Sequence, residues 1–99
     1  MYADLKGKTA LVMGAGRARG IGFHIAAGLA RQGVSVCIAD RDGCVHERAR
    51  ELEGEGAAIR AFTADLRSSA QVEGMRDAVG RLFPNLDILI QCAGVFPDP

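Results

Sequence analysis

The sequence predicts an α/β fold: half of a doubly wound parallel sheet, with four strands in the order 3-2-1-4 and three helices. Short apolar segments alternate along the chain with segments of helical period, which is typical of a parallel sheet. Right-handed crossovers then leave few strand orders. With 99 residues, 48% of them hydrophobic, the chain has room for one core, so we expect residues 1–99 to form a single, partial domain.

The first strand, helix and second strand are predicted from successive apolar patterns. Residues 9–13 form an apolar run before a glycine-rich stretch, which favours a buried strand. Residues 21–32 have helical spacing, and Gly33 is of the type that commonly ends a helix. Residues 34–39 are rich in β-branched side chains and stop at Asp40, so they form the second strand.

Two rows of residues run along this first helix. The larger side chains are Ile21, Ile25 and Leu29, and the small residues beside them are Gly22, Ala26 and Ala30. The small row predicts a face that packs closely against its neighbour.

The next helix and strand are predicted from charge and hydropathy. Residues 43–55 combine apolar residues at helical spacing with a run of charges, which indicates a helix with one solvated face. Residues 57–64 predict a third strand, and Asp65 lies just past its end.

A third helix is expected to begin near Ser68, because Ser68 and Gln71 have capping-box spacing, and to stop before Pro84. The side chains expected to point inward from it are Val72, Met75, Val79 and Leu82. Residues 86–92 form the predicted fourth strand.

The crossovers predict an uneven covering of the sheet. The first two helices should lie on one face, and the third should cover the opposite face alone. Residues 88–90 would then form an exposed, apolar outer strand, which natural proteins usually protect. The organisation therefore looks like the first half of a larger doubly wound domain.

Charge and cysteine content exclude several classes of function. Twelve basic residues balance twelve acidic ones, so no basic field is present for nucleic acid or a membrane surface. No apolar run approaches the roughly 20 residues that span a bilayer, and the first eight residues do not resemble a signal peptide, so we expect a cytoplasmic protein. The three cysteines include no C-x-x-C pair, and His24 and His46 have no second ligand at metal spacing, so no metal site is predicted.

The candidate functional residues lie in the turn between the first strand and the first helix. Residues 14–22 contain four glycines, which allow a tight turn and close approach to a diphosphate at the positive end of a helix. Asp40 follows 18 residues after Gly22, at the end of the next strand, where a carboxylate can accept hydrogen bonds from adenosine ribose hydroxyls. Together these features are fairly specific for a dinucleotide.

Over its whole length the chain resembles the short-chain dehydrogenase/reductase family, which has a Rossmann-like fold. Residues 5–12 are similar to the family's lead-in to the first strand, and Gly14, Gly20 and Gly22 match its glycine turn. Asp65-Leu66 resembles its adenine-contacting step, and Ala93-Gly94 resembles the end of its N-N-A-G motif. The full set of predicted cofactor-binding residues is Gly14, Gly16, Arg19, Gly20, Ile21, Gly22, Asp40, Arg41, Asp65, Leu66, Ala93 and Gly94.

Three features depart from the family pattern. Met13 replaces a threonine, and five residues separate Gly14 from Gly20 where three are usual. Gln91-Cys92 stands where the family has two asparagines. No catalytic Ser-Tyr-Lys set follows within the 99 residues, so no catalytic residue is assigned.

The choice of cofactor is partly encoded. A carboxylate at Asp40 favours free ribose hydroxyls and repels a 2′-phosphate, so NAD is the preferred cofactor. Arg19 and Arg41 could instead pair with the 2′-phosphate of NADP, which keeps NADP as an alternative.

The resemblance implies the amino-terminal, NAD(P)-binding half of an oxidoreductase that moves a hydride between a nicotinamide and a small alcohol or carbonyl substrate. The part of the fold that carries the catalytic residues is absent from these 99 residues. The alternative is a non-catalytic nucleotide-binding or interaction module, stabilised by homo-oligomerisation through the exposed strand.

Overall fold

The computed structural model describes residues 5–16, 20–65 and 67–92. Strands and helices alternate in the order β1 Thr9–Met13, α1 Ile21–Arg31, β2 Ser35–Asp40, α2 Cys44–Glu53, β3 Ile59–Thr63, α3 Ser69–Leu82 and β4 Ile88–Gln91. Each was predicted, although the strands β3 and β4 and the helix α2 are shorter than their apolar patterns. The residues that were predicted as strand or helix but lie outside these bounds belong to the turns at the ends of the elements.

The strands form one parallel sheet in the order β3-β2-β1-β4, which confirms the predicted topology. Thr9 lies opposite Ser35 at the start of β1 and β2, and Asp40 lies opposite Thr63 where β2 and β3 end. The carboxyl ends of these strands therefore meet along one side of the molecule, called here the carboxyl end of the sheet. The opposite side is called the amino end.

The helices cover the two faces of the sheet unequally, as predicted. On one face, buried residues of α1 and α2 pack on alternate residues of β1 and β2 such as Val12 and Ile38. On the other face, Met75 and Val79 of α3 pack against Leu11 and the remaining inward residues of the same strands. One helix therefore covers the second face, and two cover the first.

The close-packing face predicted for α1 is confirmed. Its buried residues are Gly22, Ala26, Ala27 and Ala30. Ile21 is 75% exposed because the small row, and not the large one, is turned toward the sheet. Gly33 follows the helix with a φ of +87°, a left-handed conformation that glycine adopts without strain.

Two details of α3 differ from the prediction. Ser68 caps the helix, since its hydroxyl accepts a hydrogen bond from the Gln71 amide at 3.3 Å. The reciprocal half of the capping box is not formed, because the Gln71 side chain accepts instead from the Asp65 amide at 2.8 Å. Leu82, predicted to point inward, is 39% exposed, because no second helix in the described part of the chain lies beside α3 on this face.

The outer strand β4 carries an exposed apolar residue, as predicted. Ile88 and Ile90 are half-buried toward the face with two helices, whereas Leu89 is 60% exposed on the other. None of the helices in the described ranges combines the length and the apolar character that crossing a bilayer requires.

Candidate functional site

The backbone turns sharply where β1 ends. Gly14 has a φ of +85°, which favours glycine, and its amide donates to the Ala39 carbonyl at 2.7 Å. The Ala15 amide donates to the same carbonyl at 3.3 Å. These two bonds tie the start of the loop to the end of β2, so the loop runs along the carboxyl end of the sheet.

The amino end of α1 packs directly on this turn. A Cβ atom at Gly22 would lie 2.3 Å from the Gly14 carbonyl oxygen, so only glycine allows the helix to begin here. Gly20, the residue before the helix, has no side chain with which to cap it, and the first turn contains no acidic residue. The positive end of the helix dipole is therefore not neutralised by the helix's own side chains, and an anionic group is favoured there.

The Asp40 carboxylate lies against the loop. The Gly16 amide donates to Oδ2 of Asp40 at 2.9 Å, and the Asp42 amide donates to Oδ1 at 3.2 Å. The side chain is part-buried, and each of its oxygens keeps a further lone pair for another donor. The structure thus brings together the two predicted features, the glycine turn and the acidic residue after β2.

Asp65 lies beyond β3 and is paired with a residue that the sequence reading did not single out. The Arg67 guanidinium donates to both carboxylate oxygens of Asp65, each at 3.1 Å, and the Arg67 amide donates to Oδ1 at 2.9 Å. These bonds hold the pKa of Asp65 below its usual value, and the nearby Arg41 lowers it slightly further. The spacing of an aspartate and an arginine two residues apart is the only sequence signal for this pair.

Thr63 was also missed. It ends β3 opposite Asp40, and its hydroxyl lies 2.9 Å from Nε2 of His46 in α2. His46 and His24 are both exposed. No sequence pattern links His46 with Thr63, which are separated by 17 positions.

The remaining predicted site residues are distributed as follows. Ile21, at the start of α1, and Arg41, directly after β2, are both exposed. Arg19, Leu66, Ala93 and Gly94 lie outside the described residues. Cys92, just before the last two, donates its amide to the Met13 carbonyl at 2.8 Å, which brings the end of β4 beside the glycine turn.

The thiols and possible metal ligands add little to the site. Cys37 is fully buried in β2, and burial raises the pKa of its thiol to about 11. Cys44 is exposed, and its hydrogen bond with Asp42 raises the pKa of its thiol. Among the residues that the structure describes, no three histidine, cysteine or acidic side chains form a group that could hold a metal ion.

The geometry suits a ligand with a diphosphate and a ribose. The uncapped start of α1, beside the turn at Gly14, provides positive potential for the diphosphate. Asp40 offers a fixed carboxylate as acceptor for the ribose hydroxyls. The positive end of α1 and the Asp40 acceptor lie on the same side of the sheet, as the binding of a dinucleotide requires.

Comparisons with known proteins agree with this geometry. Residues 14–98 match the family model described as enoyl-(acyl carrier protein) reductase. The 1-deoxy-11-beta-hydroxypentalenate dehydrogenase of Streptomyces exfoliatus is 40% identical over 92 residues, which are 92% of this chain and 33% of that protein. The chain thus spans about a third of the length of the curated relatives that it matches.

Solved structures show the same fold. The Pseudomonas aeruginosa RhlG/NADP active-site complex superposes with a TM-score of 0.85 at 39% identity, over 97% of this chain and 38% of that one. A short-chain type dehydrogenase/reductase from Mycobacterium marinum superposes with a TM-score of 0.79 at 32% identity, over 89% of this chain and 35% of that one. From the family model and these relatives, the chain belongs to the short-chain dehydrogenase/reductase family.

Proposed function

We propose that this chain forms the adenosine and diphosphate part of the cofactor site in an NAD(P)-dependent oxidoreductase. The observation that carries the proposal is the Asp40 carboxylate, held 2.9 Å from the Gly16 amide at the carboxyl end of the sheet. Membership of the dehydrogenase/reductase family supports it. The bound nicotinamide would accept or supply the hydride that is exchanged with an alcohol or carbonyl carbon.

The residues of the turn have distinct proposed roles. Gly14 and Gly22 allow the backbone to approach the diphosphate, and the start of α1, including Gly20 and Ile21, supplies backbone amides and a positive dipole. Asp40 accepts hydrogen bonds from the ribose hydroxyls.

Further contacts are proposed for the residues that follow β3 and β4. Asp65 and Leu66 would contact the adenine, and Ala93 and Gly94 would lie along the cofactor. Because Arg67 already donates to both oxygens of Asp65, the adenine amino group would share this carboxylate with the guanidinium.

NAD is the proposed cofactor in preference to NADP. The Asp40 carboxylate repels a 2′-phosphate, and it is held in place by two backbone amides. Two arginines, Arg41 and Arg19, could reverse this preference by pairing with the 2′-phosphate of NADP. RhlG of P. aeruginosa was solved with NADP, so NADP is the second candidate to measure.

Binding measurements test the proposal directly. Isothermal titration calorimetry with NAD and NADP should give saturable binding, tighter for NAD. Asp40→Ala should weaken NAD binding by about 10- to 100-fold, because a charged hydrogen-bond acceptor is lost, and should not weaken NADP binding, because the repulsion of the 2′-phosphate is lost as well. The control is Asp77→Ala, an exposed acid on α3, which should change neither affinity. Absence of binding by both nucleotides contradicts the proposal.

We propose that the catalytic acid lies outside residues 1–99, since no Ser-Tyr-Lys set follows the glycine turn. Turnover of a secondary alcohol with NAD by these 99 residues, above a protein-free control, would contradict this. A cytoplasmic location is proposed with it.

A second candidate function is a non-catalytic, self-associating nucleotide-binding module. Leu82, Leu86 and Leu89 favour it, because these apolar side chains are 39%, 40% and 60% exposed in α3 and around β4. Light scattering after size exclusion is the test. A concentration-dependent dimer that Leu89→Ser abolishes supports this candidate, and a monomer at all concentrations excludes it.

A further inference from the structure

We infer that Gly16 sets the preference between NAD and NADP by fixing the orientation of the Asp40 carboxylate, an inference that rests on the proposed dinucleotide function. The Gly16 amide donates to Oδ2 of Asp40 across 24 positions of sequence. The Asp42 amide donates to the other oxygen at 3.2 Å. Two amides from two separate turns thus hold one carboxylate, which restricts the Asp40 side chain to one orientation.

A Cβ atom added at Gly16 would first meet the Asp40 side chain. A Cβ atom at Gly16 would lie 2.9 Å from Oδ2, 3.0 Å from Cγ and 3.1 Å from Cβ of Asp40. These nearest atoms all belong to the Asp40 side chain, so an added methyl group would displace the carboxylate. At Gly22 the obstacle is the backbone carbonyl of Gly14, at 2.3 Å. A side chain at Gly16 therefore disturbs the acceptor while the fold can remain intact.

The orientation of the carboxylate decides whether it favours the free ribose hydroxyls of NAD over the 2′-phosphate of NADP. Held by the loop, Asp40 can receive bonds from free ribose hydroxyls and repels a 2′-phosphate at the same position. Once displaced, it loses both effects, so NAD binding weakens and the penalty on NADP falls. Gly16 is thus a positioning residue, which acts on the cofactor through Asp40.

Calorimetric titration with NAD and with NADP tests this inference. Gly16→Ala should reduce the ratio of NAD to NADP affinity by about tenfold, which corresponds to the loss of one charge-assisted hydrogen bond. The matched control is Gly28→Ala, in the same stretch of chain, where an added Cβ would meet no heavy atom within 4 Å. This control should leave the ratio unchanged.

A double-mutant cycle separates positioning from any direct contact. In an Asp40→Ala background, Gly16→Ala should produce no further change in the ratio, because no carboxylate remains to be displaced. An additive effect overturns the inference. So does equal weakening of NAD and NADP by Gly16→Ala, since that indicates contact with the diphosphate that both nucleotides share.

The outcomes also separate this inference from the proposed function. If the parent protein binds neither nucleotide, both are overturned, whereas binding with an unchanged ratio overturns the role of Gly16 alone. Circular dichroism checks that the variants fold. If Gly16→Ala does not fold, amide hydrogen exchange of Gly16 replaces it: Asp40→Ala should remove the protection of this amide, and unchanged protection overturns the inference.

Discussion

The two ends of the sheet use polar groups in different ways. At the amino end, Thr9 and Asp87 bond to each other: the Thr9 amide donates to Oδ2 of Asp87 at 3.0 Å, and the Asp87 amide donates to the Thr9 hydroxyl at 3.2 Å. At the carboxyl end, backbone amides of Gly16 and Asp42 hold Asp40, and the absence of a Cβ atom at Gly16 makes room for the Asp40 side chain. The first arrangement joins β1 to β4, whereas the second leaves a carboxylate with acceptor capacity for a ligand. Side-chain hydrogen bonds stabilise the amino end. At the carboxyl end, the absence of a side chain at Gly16 lets a backbone amide hold Asp40 in place for a ligand.

The largest effect is expected where the carboxyl end lacks room for a side chain. Gly22→Ala should lower the free energy of unfolding by more than about 3 kcal/mol, because its methyl group would meet the Gly14 carbonyl. Urea denaturation measures this change. Gly28→Ala, in the same helix with open space around it, should raise stability by about 0.5–1 kcal/mol. A similar loss for both variants contradicts the assigned contact.

The centre of β2, between the two ends, should respond to alkaline pH. Burial raises the pKa of the Cys37 thiol to about 11, against an opposing effect of Arg60. Between the ordinary pKa and this value, the unfolded chain releases a proton that the folded chain retains, so stability falls as pH rises. The loss should reach about 2–3 kcal/mol above about pH 11. Urea titrations from neutral to alkaline pH, compared with Cys37→Ala, isolate the effect; equal slopes for both proteins contradict it.

A smaller effect is expected at the amino end. Thr9→Val removes the hydroxyl that donates to the Asn85 carbonyl at 2.6 Å and should cost about 1 kcal/mol. Its coupling to Asp87→Asn in a double-mutant cycle should be measurable, because the Thr9 hydroxyl donates to Oδ2 of Asp87 at 3.3 Å. Both variants should leave nucleotide affinity unchanged. A change in nucleotide affinity would contradict the assignment of ligand binding to the carboxyl end alone.

The smallest effect is expected from the exposed ion pair that links the turns at the amino end. Arg31 donates to both carboxylate oxygens of Glu55 at 3.0 Å, but both side chains are solvated. Arg31→Gln should change the melting temperature by little more than the experimental error, and added salt should reduce even that change. A large loss of stability would show that polar contacts at this end contribute more than exposure allows.

The sequence was sufficient to predict the fold because its local signals agree. The small row Gly22, Ala26 and Ala30 predicted the packed face of α1, and Gly33 predicted its end. Leu82 was predicted wrongly because helical period alone does not show whether a neighbouring element covers a face.

For the candidate site, the sequence supplied the residue types but not their contacts. Gly16 and Asp40 were each predicted from the pattern, but their mutual hydrogen bond depends on how β1 and β2 align. The pairing of Arg67 with Asp65 was missed, because either side chain could equally have pointed to solvent. Contacts of this kind depend on register and rotamer, which periodicity does not encode.

The hydrogen bonds between Thr9 and Asp87 also bear on the order of folding. They join residues 78 positions apart, whereas the first pair of β1 and β2, Thr9 and Ser35, is 26 apart (35 − 9). Tripling the length of a closed loop costs about 1 kcal/mol more in chain entropy. Among the four strands, we therefore expect β1 and β2 to associate first, together with α1, and β4 to join last, so that one edge of β1 stays unpaired during synthesis until β4 is made. The hydrogen bonds between Asp87 and Thr9 then form late, after the first three strands and the helices between them have been synthesised.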